Sequence, residues 1–435
     1  MDAGRIPMAS TGRALDEAKS VRSTGNAWAP FTEPLFRTLW IAAVVSYTGT
    51  WMQNVGAGWL MTSLTMNQPR APLMVGLVQA AQSLPVFLVV LPAGALADMV
   101  DRRRYLILTQ TWMTLAALAL GALTLAGWVT PWVLLAFTFL LGFGSVMNDP
   151  CWQAITPEVV SQERFASAVA LNSAGFNVAR AVGPALGGLV VAAAGSGTAF
   201  ILNALSFLGV IWFLLRWKRR PHLEPVPGQR VWAAIRVGFE YVSHSDAARS
   251  VLVRTGLFSL FASAIWALLP LLTKQHGSVG YGLALAALGC GAVVGAVVLP
   301  TVRRSVSINT LVGVASFVFA VTTFAAGQVQ RLEAICAALF VGGMAWISIL
   351  ASLNLSAQTS APAWVRARSL SLYLLILQGG MAGGGALWGA LAGKIGIGNA
   401  LGVAAIGLVA GLPTARSFRL GAAWAEVPPP MTQTD

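Results

Sequence analysis

The chain of 435 residues is 56% hydrophobic and only 10% charged, with a mean hydropathy of +0.71. So few charges cannot coat a soluble domain of this size, and apolar runs of about 20 residues without alternation favour bilayer-crossing helices over a β-barrel. A net charge of +13 would suit nucleic acid, but its placement in the turns of one membrane face excludes that partner.

Residues 1–33 are polar and lack the apolar core of a signal peptide, so they read as a disordered cytoplasmic tail. Twelve spans follow, near 36–62, 72–97, 103–126, 131–156, 163–193, 196–216, 250–272, 279–301, 306–327, 332–355, 364–392 and 396–413. The longest polar interruption, 218–248, divides them six and six. This predicts one six-helix bundle over 34–217, a second over 249–416 and a cytoplasmic tail over 417–435. Inside the interruption, Trp232, Ile235, Phe239 and Val242 recur at helical spacing, the pattern of an amphipathic helix lying on the membrane surface. The fold class is therefore all-α integral membrane, with twelve transmembrane helices in two pseudo-symmetric six-helix bundles. Most of the 28 Lys and Arg fall in the tails, the central loop and the turns of one face. Arg70, Lys274, Arg331 and Lys394 lie in the opposite turns, and Arg180 lies inside a span. That asymmetry places both termini in the cytoplasm. Cys151, Cys290 and Cys336 sit within spans at no metal-ligand spacing, so neither a disulfide framework nor a metal site is expected.

Several spans carry polar groups that a purely structural helix does not need. Span one holds Gln53 and Asn54, and span five holds Asn177 and Arg180, the guanidinium lying deep in the bilayer. An intramembrane arginine costs ~2.5–3.5 kcal/mol or more unless it faces a polar cavity or partner. Gln53, Asn54, Asn177 and Arg180 are therefore the candidates to line a substrate cavity, the alternative for Arg180 being a cross-tie between helices. Asp149, in Asn148-Asp149-Pro150, is the one carboxylate placed inside a span. It is the candidate proton carrier, or else it caps a helix break at Pro150. Between spans two and three, Gly94, Asp98, Arg102 and Arg103 form a dense charged hairpin, with Glu158 and Glu163 available as ion-pair partners from the next loop on that side. These residues read as a conformational latch. In span five, Gly183, Pro184, Gly187 and Gly188 predict a helix that lets a neighbour approach at backbone distance, with the Gly289 to Gly295 stretch of span eight as a matching surface.

An internal repeat supports the duplication. Gly94, Arg102 and Arg103 recur 201 residues later as Gly295, Arg303 and Arg304. At the same offset Gly183, Ala185, Leu186 and Gly188 recur as Gly384, Ala386, Leu387 and Gly389. Leu299 replaces Asp98 in the second copy, so the charged latch is one-sided. A six-plus-six duplication is the mark of a transporter whose halves rock about a central site. No phosphate-binding loop is written in the chain, and His222, His244 and His276 all lie outside the spans, which argues against ATP use and intramembrane enzymology.

The loop from Gly94 to Arg104 resembles the Gly-x-x-x-Asp-x-x-Gly-Arg-Arg signature of the major facilitator superfamily, with Asp101 at the second glycine. Ala179 to Gly188 is similar to the Gly-x-x-x-Gly-Pro-x-x-Gly-Gly motif that accompanies export antiporters there, with Ala179 at its first glycine. Together with Gly49 to Asn54, Asn148 to Gln153, Ala168 to Asn172 and Asn177 to Arg180, they resemble the enterobactin-exporter-like branch from Pro34 to about Arg416. The resemblance implies a secondary active transporter with no cofactor and no enzymatic activity. It implies proton-driven export of a siderophore or small amphipathic compound across the cell membrane, with protons and lipid as partners and a monomer as the working unit. A proton-coupled importer on the same fold, or a non-transporting membrane scaffold, is the rival reading.

Overall fold

The computed structural model describes residues 28–217, 240–362 and 365–421, apart from the side chains of 91, 94, 95, 97–99 and 367. The amphipathic helix expected around 232–242 therefore falls largely outside the described residues, as do 1–27 and 422–435. Eleven long helices make up the described residues: α1 (Pro34–Thr65), α2 (Ala71–Met99), α3 (Arg102–Leu125), α4 (Pro131–Val159), α5 (Phe165–Arg216), α6 (Asp246–Leu272), α7 (Gly277–Ser305), α8 (Ile308–Gln328), α9 (Leu332–Thr359), α10 (Arg366–Ile395) and α11 (Ile397–Ala410). A last turn, α12, covers Thr414–Ser417, and no strand occurs among the described residues.

Local chemistry explains where these helices begin. Proline occupies the first turn of α1, α2 and α4, where its missing N–H costs nothing. Side chains of Asp101, Thr130, Ser245 and Ser307 accept from the third backbone N–H of α3, α4, α6 and α8. Asp101, which departs from the family's glycine, is thus an N-cap, bonded to the Arg104 amide at 2.8 Å.

Among the described residues ten segments are long and apolar enough to cross a membrane, and one of them, Gln162–Arg216, is long enough to cross twice. Helix α1 stands outside that set because Ser46, Thr48, Thr50, Gln53 and Asn54 dilute its apolar content. With α1 and the doubled α5 the crossings number twelve. Helix α5 is divided at Gly195 (φ +80°, ψ 166°), and Gly396 divides α10 from α11 with nearly the same backbone (φ +86°, ψ 159°). The two glycines are 201 residues apart, so the repeat extends to the backbone. Only glycine occupies that region without strain. Gly195→Ala and Gly396→Ala should each destabilise by about 1–3 kcal/mol in thermal unfolding. Gly313→Ala, at an open helical position, should be neutral or stabilising.

The first six crossings pack mainly as α1 on α5, α3 on α5 and α2 on α4. The last six pack as α7 on α9, α6 on α10, and α8 on α9 and α11. The halves meet along two seams, α2 with α10 and α5 with α7. Large apolar side chains such as Leu108, Leu115, Val297 and Ile406 remain exposed on the perimeter, as lipid-facing positions require. The described part of the tail expected to be disordered is fastened, and so is the described start of the last tail. Residues Ala29–Thr32 form a 3-10 turn in which Phe31 meets Trp40 edge-on at 5.0 Å, and Glu33 pairs with Arg164 at 3.2 Å. At the other end the Leu420 backbone is held from both sides by the Asn309 amide. Apolar and amide anchors within otherwise polar tails explain the difference.

Candidate functional site: a cavity between the two halves

Four helices, two from each half, line a small, partly open cavity. Its polar lining comes from Asn54 on α1, Gln79 and Gln82 on α2, Trp266 on α6 and Tyr281 on α7, with Trp51 as a second indole wall. The Trp266 ring is backed by Trp346 at 5.3 Å, and Phe258 and Phe319 pack on Trp346 in turn. This wall holds the indole in place, yet its buried Nε1 has no hydrogen-bond partner. A buried donor without a partner is costly. Gln79 donates to Ser83 at 3.0 Å, which leaves its carbonyl oxygen available.

Arg180 lies beside this cavity on α5. It is 8% exposed, its Cζ stands 6.0 Å from the Trp51 ring centroid, and its Nε has no hydrogen-bond partner. Trp51 and Arg180 therefore form a cation-and-ring pair on the first half, opposite the Trp266 wall of the second. That combination suits an amphipathic solute with an anionic or strongly polar head and a flat apolar body.

The sequence candidates separate on inspection. Asn54 and Arg180 are at the cavity or against its wall. Gln53 is not: it is buried, and accepts a hydrogen bond from Asn203 on the second arm of α5. Adjacent helical residues point about 100° apart, so the pair could not share one face. Asn177 is half-buried and donates to the Ser173 carbonyl one turn back at 2.8 Å, which leaves a second N–H and its carbonyl oxygen. Asp149 lies within the α4 span, next to Asn148 and within electrostatic reach of Tyr47, and forms no ion pair with Arg180. Gln79, Gln82 and Tyr281 were not anticipated. The signal was Gln79-x-x-Gln82, two amides one turn apart in an apolar run.

At the arginine-rich end Arg102 pairs with Glu158 at 3.0 Å, tying α3 to α4. Arg103 donates to the carbonyls of Leu214 and Leu215 at 2.6 and 2.9 Å, where a cation complements the C-terminus of α5. The side chains of Gly94 and Asp98 lie outside the described set. In the second half Arg303 donates to Ser352 at 3.1 Å, a neutral partner where Arg102 has an acid.

The span-five glycines serve two neighbours. Gly183 and Gly187 lie against Trp51 and Met52 of α1, whereas Gly188 lies against Ser278 and Gly282 of α7. On α7, Gly282 and Gly289 face α5, but Gly291 and Gly295 face Phe340 and Met344 of α9. The expected Gly289 to Gly295 surface is therefore corrected to Gly282 and Gly289, which are two turns apart and share a face. The other seam has the same construction: a methyl built at Gly385 would sit 2.8 Å from the Gly76 carbonyl, and one at Gly389 only 2.6 Å from that of Pro72. In both seams the closest approach lies toward the turns at 66–70 and 273–276, away from the Arg102 end.

Similarity to known proteins agrees with this architecture. A family described as transmembrane secretion effector matches residues 25–430. The enterobactin exporter EntS of Salmonella choleraesuis is 26% identical over 370 residues, 83% of this chain and 86% of that protein. The staphyloferrin A transporter of Staphylococcus aureus is 24% identical over 279 residues, 63% of this chain and 69% of that one. A bacterial homologue of the human lysosomal transporter Spinster, solved in an inward-facing and unoccupied conformation, covers 92% of this chain and 99% of its own with TM-score 0.69 and 14% identity. The nucleoside transporter NupG superposes with TM-score 0.66 at 13% identity, covering 88% and 98% of the two chains. With two six-span halves and a cavity between them, the chain belongs to the transmembrane secretion effector family of the major facilitator superfamily and is a multi-span membrane transporter.

Proposed function

We propose that the protein is a proton-driven exporter of a small amphipathic organic compound of the siderophore class, working by alternating access in the bacterial inner membrane. The observation that carries this reading is the cavity shared by both halves, with the Trp51–Arg180 pair on one side and the unpartnered Trp266 indole on the other. The similarity to the enterobactin exporter supports the substrate class and the outward direction. The arginine excess around Arg102, Arg303 and Arg366 supports a cytoplasmic location for that face and for both termini. With that orientation the two glycine seams close the cavity from outside, so the conformation is inward-facing, ready to load from the cytoplasm. Arg102–Glu158 and Arg103 at the α5 terminus fasten the first half at its cytoplasmic end, and with Gly94 and Asp98 they serve as the latch when that side closes.

Asp149 is the proton carrier in this reading: a carboxylate within the α4 span, near Tyr47. The test gives everted vesicles a catecholate or citrate-type siderophore in the external medium under an imposed proton gradient. Uptake into everted vesicles should follow acidification of the lumen. Asp149→Asn should keep substrate binding but lose at least tenfold of the gradient-driven component, which a tenfold rate ratio equates to about 1.4 kcal/mol. Accumulation in the opposite direction would establish an importer, and undiminished coupling in Asp149→Asn would place the proton elsewhere.

A further inference from the structure

The residue directly before Asp149 on α4 has its orientation fixed from another helix. Asn148 is 8% exposed, and its Oδ1 accepts from Gln110 Nε2 of α3 at 3.1 Å. Thr109 Oγ1, also on α3, lies 3.3 Å from the same oxygen and divides its one proton between it and the Leu106 carbonyl at 3.1 Å. An asparagine amide carries its acceptor at one end and its two donors at the other. With the donors of α3 on the oxygen, the Nδ2 group is turned away from α3. The Asn148 side chain then serves the Asp149 carboxyl as a hydrogen-bond donor.

Keeping an amide at position 110 is costly. Gln110 is 3% exposed, and its Oε1 is buried with no hydrogen-bond partner. An apolar side chain of the same shape would avoid that loss. Among the described residues, the side-chain bond that Gln110 makes is the one to Asn148. On its other side, Asp149 acts electrostatically on Tyr47 of α1, whose ring is held edge-on by Phe176 of α5 at 5.3 Å.

We infer that Asn148 is the positioning residue for Asp149, and that Gln110 sets which way its amide faces. The carboxyl is thereby held between a fixed donor on α4 and the Tyr47 ring on α1. A group that gains and loses a proton in every cycle works from a repeatable position, and a partner locked by its own hydrogen bond supplies one. This assignment rests on Asp149 being the proton carrier.

Gradient-driven uptake of a catecholate siderophore into everted vesicles, measured beside siderophore exchange without a gradient, tests it in the full chain. Asn148→Ala should lower the maximal driven rate about tenfold, as loss of one hydrogen bond to a charged group does, with apparent KM and exchange unchanged. Gln110→Met keeps the volume, removes the donor, and should show the same split with a smaller loss. The double variant Asn148→Ala with Asp149→Asn should lose no more than Asp149→Asn alone, since nothing is left to position. Equal falls in exchange and driven uptake, or a full additional loss in the double variant, would reduce Asn148 to packing and overturn the assignment. Loss of coupling in Asp149→Asn beside full coupling in Asn148→Ala and Gln110→Met would overturn it while leaving the carrier in place. Full coupling in Asp149→Asn would remove the carrier and this assignment together. Should Asn148→Ala fail to fold, Gln110→Met decides alone.

Discussion

Arg180→Ala should abolish transport while leaving the protein folded. The guanidinium is buried, stands against the Trp51 ring, has no ion-pair partner among the described residues and keeps an unpartnered Nε. Holding such a group in a membrane protein costs ~2.5–3.5 kcal/mol or more, so its removal should leave the melting temperature unchanged or raise it. If the charge is kept for substrate, efflux should fall at least tenfold, a loss of about 1.4 kcal/mol or more in transition-state stabilisation. Arg180→Lys should recover only part of the rate, since an ammonium keeps the charge but loses the planar fork and its stacking on Trp51. Efflux from loaded cells, with size-exclusion profiles and thermal unfolding in detergent, reads both quantities. Full transport in well-folded Arg180→Ala would reduce the arginine to a cross-tie.

Gly282→Val should prevent the outer seam from closing. The added side chain would strike the Pro184 carbonyl and the Gly188 backbone, none of which can move aside as a side-chain end would. Cores and interfaces accommodate overpacking at a cost of about 1–3 kcal/mol when side chains can shift, and more when they cannot. A penalty of that size, set against an equilibrium between two conformations, shifts the populations by about one to two orders of magnitude. Gln82→Cys, at the cavity wall and with the three native cysteines replaced, should then react with an impermeant reagent from the periplasm several-fold faster than without the valine. Net transport by Gly282→Val should fall at least tenfold, because a carrier held open on one side cannot complete its cycle. Gly383→Val, with open space around its Cβ, is the control that should leave both unchanged.

Much of the architecture was readable from residues alone, and the exceptions share a cause. Every predicted span coincides with a helix to within four residues at each end, because bilayer thickness fixes the length of an apolar run. The duplication was visible in Gly94 and Gly295, and it reaches further than expected, to the matched breaks at Gly195 and Gly396. What composition does not encode is the rotation of each helix about its own axis. Gln53 and Asn54 are neighbours in sequence, yet one reaches Asn203 and the other the cavity. Likewise Gly289 and Gly291 face different helices. Rotation is set by packing against the partner helix, so Gln79, Gln82 and Tyr281 could be assigned to the cavity only once the four helices were in place. Charged groups such as Arg180 were easier to find, since their cost inside a bilayer singles them out wherever they point.

The two bundles follow the same path but are rooted differently at the arginine-rich face. Arg102 meets a carboxylate, whereas Arg303 meets a hydroxyl. Dissolved ions screen the first contact over a Debye length of about 8 Å at physiological strength and leave the second nearly untouched. Added salt should therefore weaken the first-half contact somewhat more than its counterpart in the second half.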